Sequence, residues 1–250
     1  MRVLITGSSG LIGGILWPHL ATEHQVSGID IKRSRGTATR VADMTKPKSI
    51  QPAFRGQDVV IDLAGAASPT SSWDQVAENN IRATANAFEA SRQSGVRRII
   101  YASSNHVTGM YEREQPYAAI VAGDYNGLDP AAVRPLTTDL PVRPDGPYGI
   151  GKAFGEAAAR YYSDEHGLSV ICLRIGTVNR DDRPRNSRHF ATLLSHRDLA
   201  HLVRCCIGAP EALRFAVFYG VSNNRWRFWN IADSADAVDY RPLDDAETWR

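Results

Sequence analysis

The octapeptide Thr6-Gly-Ser-Ser-Gly-Leu-Ile-Gly13 follows the short apolar run Val3-Leu-Ile5 and opens the helix-like segment Leu11–Leu20. Three glycines between a strand and a helix have separate physical jobs. Gly7 permits a tight turn, Gly10 lets a ligand come close to the backbone, and Gly13 lets the helix pack closely on the strand. The helix N-terminus then presents unpaired N–H groups and a partial positive charge, a ready site for phosphate. A glycine triplet alone is a weak signal; at the first strand-to-helix turn of a chain it constrains the fold strongly.

The rest of the chain agrees with that start. β-Branched runs recur at Val3–Ile5, Val26–Ile29, Val59–Ile61, Arg98–Ile100 and Val170–Leu173, separated by helix-like segments such as Trp73–Ser94 and Tyr148–His166. Strands spaced by helices imply parallel crossovers, and continuous rather than alternating apolar runs imply burial on both faces. The fold expected is α/β, a Rossmann doubly wound parallel sheet with a small C-terminal substrate-binding portion. Residues 1–250 read as one domain, its substrate-binding parts drawn from 104–147 and 177–250. Residues 112–147 break the rhythm with six prolines and no sustained period, which fits a lid or binding loop or a tolerated surface insertion.

Composition excludes several classes. With 29 basic and 27 acidic residues the formal net charge is +2, and no basic stripe gives nucleic acid an electrostatic footprint. No run approaches the roughly 20 apolar residues of a membrane span, and MRVLITG is too short for a signal peptide. Cys172, Cys205 and Cys206 lack metal-ligand spacing and fit a reducing compartment. A cytoplasmic protein with no resident metal is expected.

Two further stretches carry chemistry. The second strand ends at Asp30, placed to accept hydrogen bonds from ribose hydroxyls and to repel a 2′-phosphate, which favours NAD. Lys32 and Arg33 follow at once, so NADP stays possible, and Asp43 is placed for the adenine edge or as a simple turn acid. Tyr148 and Lys152 stand at i and i+4 on one helix face. A phenol with the usual pKa of about 10 is only about a thousandth ionised at pH 7, and a neighbouring cation favours the phenolate. That pairing suits a general base. The strand ending at Ala102 hands over to Ser103-Ser-Asn-His106, four adjacent hydrogen-bonding side chains at one strand end.

With these motifs the chain resembles the extended short-chain dehydrogenase/reductase family, the NAD-dependent epimerase/dehydratase group. TGSSGLIG is similar to the family's TGxxGxxG, Tyr148/Lys152 to its YxxxK, and Ser104 with Val107 and Gly109 to its S-x-x-V-Y-G, with Thr108 where tyrosine is common. The resemblance implies Ser104, Tyr148 and Lys152 as catalytic residues. It implies cofactor contacts from Gly7, Ser9, Gly10, Leu11, Ile12, Gly13, Asp30, Asp43, Met44, Leu63, Ala64, Gly65, Asn80, Tyr148, Lys152 and Ile175. Substrate contacts are implied for Ser68, Ser104, Asn105, His106, Thr177 and Arg188. Only about seventy residues follow the strand ending near Arg174, little room for a nucleotide sugar. The closer resemblance is to compact members oxidising sugars at the anomeric carbon, uronate dehydrogenases and NAD-dependent glucose-6-phosphate dehydrogenases. It carries Arg188 to the position of a substrate-carboxylate ligand. The basic run Arg180, Arg183, Arg185, Arg188 with His189 leans towards a phosphorylated sugar.

The expected reaction is oxidation of the C1 hydroxyl of an acidic or phosphorylated sugar to a lactone. An epimerase or dehydratase without net NADH, and a non-catalytic dinucleotide sensor, are the competing readings. By analogy with the family, Trp73–Ser94 and Tyr148–His166 are expected to form a four-helix interface in a homodimer or higher homo-oligomer.

Overall fold

A computed structural model describes residues 1–34 and 36–250. Strands β1 (Arg2–Thr6), β2 (Gln25–Asp30), β3 (Thr39–Val41), β4 (Val59–Asp62), β5 (Arg98–Ser104), β6 (Ser169–Ile175) and β7 (Phe215–Gly220) form one sheet in the order 3-2-1-4-5-6-7. Every pairing is parallel. Strand order reverses between β1 and β4, the place where open parallel sheets leave a crevice at their carboxyl ends.

Helices cover both faces. α1 (Leu11–Leu20) and α7 (His196–Ile207) pack on one, burying Leu16, Leu20, Leu199 and Val203 against Val3, Ile61 and Leu173. On the other, α2 (Pro47–Phe54) and α4 (Ala83–Gln93) bury Phe54 and Phe88 over Leu4, Val60 and Val170, and α6 (Pro147–His166) adds Ala159. Strands β1, β4, β5 and β6 each feed both cores, which is why their sequences run apolar without alternation.

Two expectations need correction. The segment expected as one helix over 73–94 is α3 (Trp73–Val76), a widened π-turn over Ala77–Arg82, and then α4. Residues 112–147 are less irregular than expected and are not an idle excursion. They contain α5 (Tyr117–Ala122) and a bridge from Leu136 to Trp229, and Tyr117, Ile120 and Leu136 share a third core with Trp226, Phe228 and Trp229. Prolines hid this packing, since its apolar residues answer partners about a hundred positions away and follow no local period. Among the described residues no helix is long and apolar enough to cross a membrane.

Candidate active site

The carboxyl ends of β1, β2, β4, β5 and β6 open onto one cavity of about 710 Å³. Its two ends are built differently.

At the β1–α1 end the backbone does the work. Gly7 has φ +64°, and a Cβ there would lie 3.0 Å from the backbone of Leu63 and Ala64. A Cβ on Gly13 would fall 2.7 Å from the Ser8 carbonyl oxygen and 2.8 Å from that of Gly7. The N-cap of α1, Gly10, carries no side-chain cap, and its first turn holds no acid. Its N–H groups and dipole therefore face the cavity unanswered. At the far edge Asp30 accepts from the backbone N–H groups of Ser9 and Lys32, each at 3.0 Å. Gly7, Gly10, Leu11, Ile12, Gly13, Asp30, Asp43, Met44, Leu63, Ala64 and Gly65 all line the cavity. An anion cradle, an apolar slot and a ribose-facing acid in this order fit a dinucleotide.

Three of the expected contact residues do not line it. Ser9 spends its hydroxyl on the Lys32 carbonyl, and Ser68 pairs with Thr70. Asn80, buried in the π-turn, accepts from the Ala66 N–H at 3.0 Å and donates to the Ala66 carbonyl at 3.2 Å. It shapes the lining loop from behind. Beneath that loop the Thr6 hydroxyl donates to Asp62 at 2.5 Å and accepts from the N–H groups of Leu63 and Ala64. Burial pushes the Asp62 carboxyl up to about 6, against the Thr6 hydrogen bond and the Lys152 charge.

At the β5–β6 end, side chains do the work. Ser104, buried at the end of β5, accepts from the His106 N–H at 3.2 Å and faces the cavity with Tyr148 and Lys152. Lys152 donates to the Ala102 carbonyl at 2.6 Å, its Nζ 5.9 Å from the Tyr148 ring centre. The His106 ring meets that of Tyr148 edge-on at 5.7 Å and bonds Asp145 through Nδ1 at 2.7 Å. Burial works against the charge on Asp145, but the His106 hydrogen bond and charge, with a backbone hydrogen bond and the Arg188 charge, together hold the carboxyl below its usual range. Behind this wall Glu156 accepts from Ser103 at 2.6 Å and takes a two-pronged bond from Arg174 at 2.9 Å, all three buried. That pair ties α6, which carries Tyr148 and Lys152, to β5 and β6.

Asn105, Thr177, Ile175 and Arg188 also line the cavity. Asn105 is committed, donating to the Ile175 carbonyl at 2.8 Å and accepting from Arg188 at 2.8 Å. The basic run separates: Arg180 and Arg183 are exposed and outside the lining, while Arg185 is forked onto Asp181. Sequence reasoning missed Glu112, whose carboxylate grips Arg188 at 2.6 and 2.7 Å. The available signal was its place eight residues after Ser104, in the 3₁₀ segment Asn105–Arg113 that continues the wall.

Comparison with known proteins follows the same lines. The NAD dependent epimerase/dehydratase family matches residues 3–240. The chain is 33% identical to the NAD-dependent glucose-6-phosphate dehydrogenase of Haloferax volcanii, covering 98% of this chain and 94% of that one. It is 32% identical to the L-arabinose 1-dehydrogenase (NAD(P)(+)) of the same organism, covering 99% and 98%. The crystal structure of uronate dehydrogenase from Agrobacterium tumefaciens superposes with a TM-score of 0.84 at 29% identity, covering 100% of this chain and 86% of that one.

Proposed function

The chain belongs to the NAD dependent epimerase/dehydratase family, and we propose that within it this protein oxidises the anomeric hydroxyl of a cyclic sugar to a lactone, with NAD as acceptor. The observation that carries this reading is the convergence of Ser104, Tyr148 and Lys152 on the same cavity as the Gly7–Gly13 cradle. Relatives that share nearly the whole chain are named as sugar dehydrogenases, which supports the same activity here.

When bound, NAD supplies the two-electron acceptor for the hydride leaving C1. Tyr148 takes the proton of the C1 hydroxyl, and the C1–O bond becomes the lactone carbonyl. Ser104, whose oxygen already accepts from His106, turns its own hydrogen to the reacting oxygen and fixes its position. Lys152 keeps positive charge near the Tyr148 ring through the transfer, its direction set by the Ala102 carbonyl. The His106 Nε2, opposite the nitrogen held by Asp145, is available to a ring hydroxyl. Such positioning contributes several kcal/mol when the reacting atoms are held in a near-attack arrangement, on the order of 7–11 in the best cases. Asp30, anchored by Ser9 and Lys32, favours NAD over its 2′-phosphorylated analogue.

Absorbance at 340 nm with NAD and a panel of neutral sugars, uronates and sugar 6-phosphates tests the reading. A sustained rise is expected with at least one of them. A flat trace while a sugar epimer accumulates would replace oxidation by epimerisation.

A homodimer is part of the proposal. Trp73 on α3 and Ile150, Phe154 and Tyr161 on one face of α6 are exposed. Scattered single apolar residues need no partner, but four on the two helices expected to pair do. Sedimentation equilibrium should give twice the chain mass at micromolar concentration; a monomer there would refute it.

A further inference from the structure

Arginines recognise carboxylates and phosphates by offering two parallel N–H groups to two oxygens. Arg188 has the right position for this at the sugar end of the cavity, so the occupancy of its five N–H groups decides what it can take. Its Nε donates to one oxygen of Glu112 at 2.6 Å. Its Nη2 donates to the other oxygen at 2.7 Å and to Asn105 Oδ1 at 2.8 Å. Its Nη1 donates to Thr177 Oγ1 at 3.3 Å. Four of the five hydrogens are used, and one on Nη1 remains.

The pair is sheltered, with Glu112 13% and Arg188 27% exposed at the side chain. Its partners are held in turn: Asn105 by the Ile175 carbonyl and Thr177 by Thr192 at 2.8 Å. An incoming anion would have to evict Glu112 and leave that carboxylate unpaired beside it, which is costly in a partly buried site. Few other cations stand near to compensate. Lys152 is turned to Ala102, and Arg185 is forked onto Asp181. His189 accepts the Arg185 N–H through Nδ1; burial first, then the charges of Arg188 and Arg185, hold it below its ordinary range. At the same end His106 is bonded to the Asp145 carboxylate and offers no free cation.

We propose that Glu112 is a specificity-determining residue: by occupying Arg188 it makes the sugar end of the cavity select an uncharged hydroxyl and disfavour a carboxylate or phosphate. The one remaining Nη1 hydrogen suits a hydroxyl oxygen, which needs a single donor. The substrate class that follows is a neutral aldose, oxidised at C1. This rests on the sugar-dehydrogenase reading and sharpens its substrate. It departs from the sequence expectation of an anionic sugar, in which Arg188 anchors the acid group.

The experiment compares glucuronate with glucose, and glucose 6-phosphate with glucose, in wild type, Glu112→Gln and Glu112→Ala. The kcat/KM ratio of each anionic sugar to glucose should rise about tenfold or more in both variants, a shift that a purely structural loss would not produce. Circular dichroism melting confirms that each variant is folded. Dissociation constants of glucuronate and glucose, measured by calorimetry without turnover, should move the same way. Ratios that stay constant or fall in the variants would overturn the proposal. Absence of NADH formation with every sugar would sink the dehydrogenase reading instead, and the binding constants would still decide the role of Glu112.

Discussion

The two ends of the cavity solve the same problem, holding a ligand still, with different materials. The cofactor end is centred on one stretch of chain, residues 6–30, with residues 43–44 and 63–65 beside it, and acts through backbone: a glycine turn, an uncapped helix and one acid held by two N–H groups. The sugar end draws on residues 104–112, 145, 148–156, 177 and 188, and acts through paired side chains. The first needs space and tolerates little added bulk. The second needs charges matched across segments that meet only in the folded state. Recognition by backbone fixes a ligand class shared across a fold, while recognition by paired side chains can be retuned by one residue.

If this division is right, the two ends fail differently. The largest effect is expected at the sugar end. Tyr148→Phe removes one oxygen without changing packing, and kcat should fall about 10²- to 10⁴-fold, the usual worth of a general base. Dinucleotide affinity, read by NADH fluorescence titration, should stay within a few-fold, since the cradle lies elsewhere. Retained turnover would remove Tyr148 from the chemistry. At the cofactor end the smaller effect is steric. Gly13→Ala puts a Cβ 2.7 Å from a backbone oxygen and should cost about 1–3 kcal/mol of stability, with weaker dinucleotide binding. Its neighbour Gly14 has nothing within 4 Å of an added Cβ, so Gly14→Ala should be neutral or stabilising by about 0.5–1 kcal/mol. Thermal melts of the two variants should move in opposite directions or differ clearly; equal shifts would break the steric account.

The same division explains what could be read from the sequence. Turn glycines, β-branched runs and an i,i+4 tyrosine–lysine pair are local signals, so the parallel sheet, the cradle and the placing of Tyr148 and Lys152 on one helix were legible. β3 is three residues long with two of them exposed, and no apolar run marks it. Asn80 and Ser9 were legible as residues near the cofactor, but not as supports acting from behind, because their partners Ala66 and Asp30 are distant in sequence. Arg188 could be placed only through the family resemblance, whereas its state depends on Glu112, 76 residues earlier. Charge in a sequence is visible; charge already neutralised across the fold is not.

The central claim is net oxidation of sugar C1, and the product ratio tests it most directly. NADH formed should be followed at 340 nm while sugar consumed and lactone or aldonate formed are counted by NMR, starting from a neutral aldose and excess NAD. One NADH and one aldonate per sugar consumed is the predicted result. Sugar consumed without NADH, with an epimer or dehydrated sugar in its place, would contradict it.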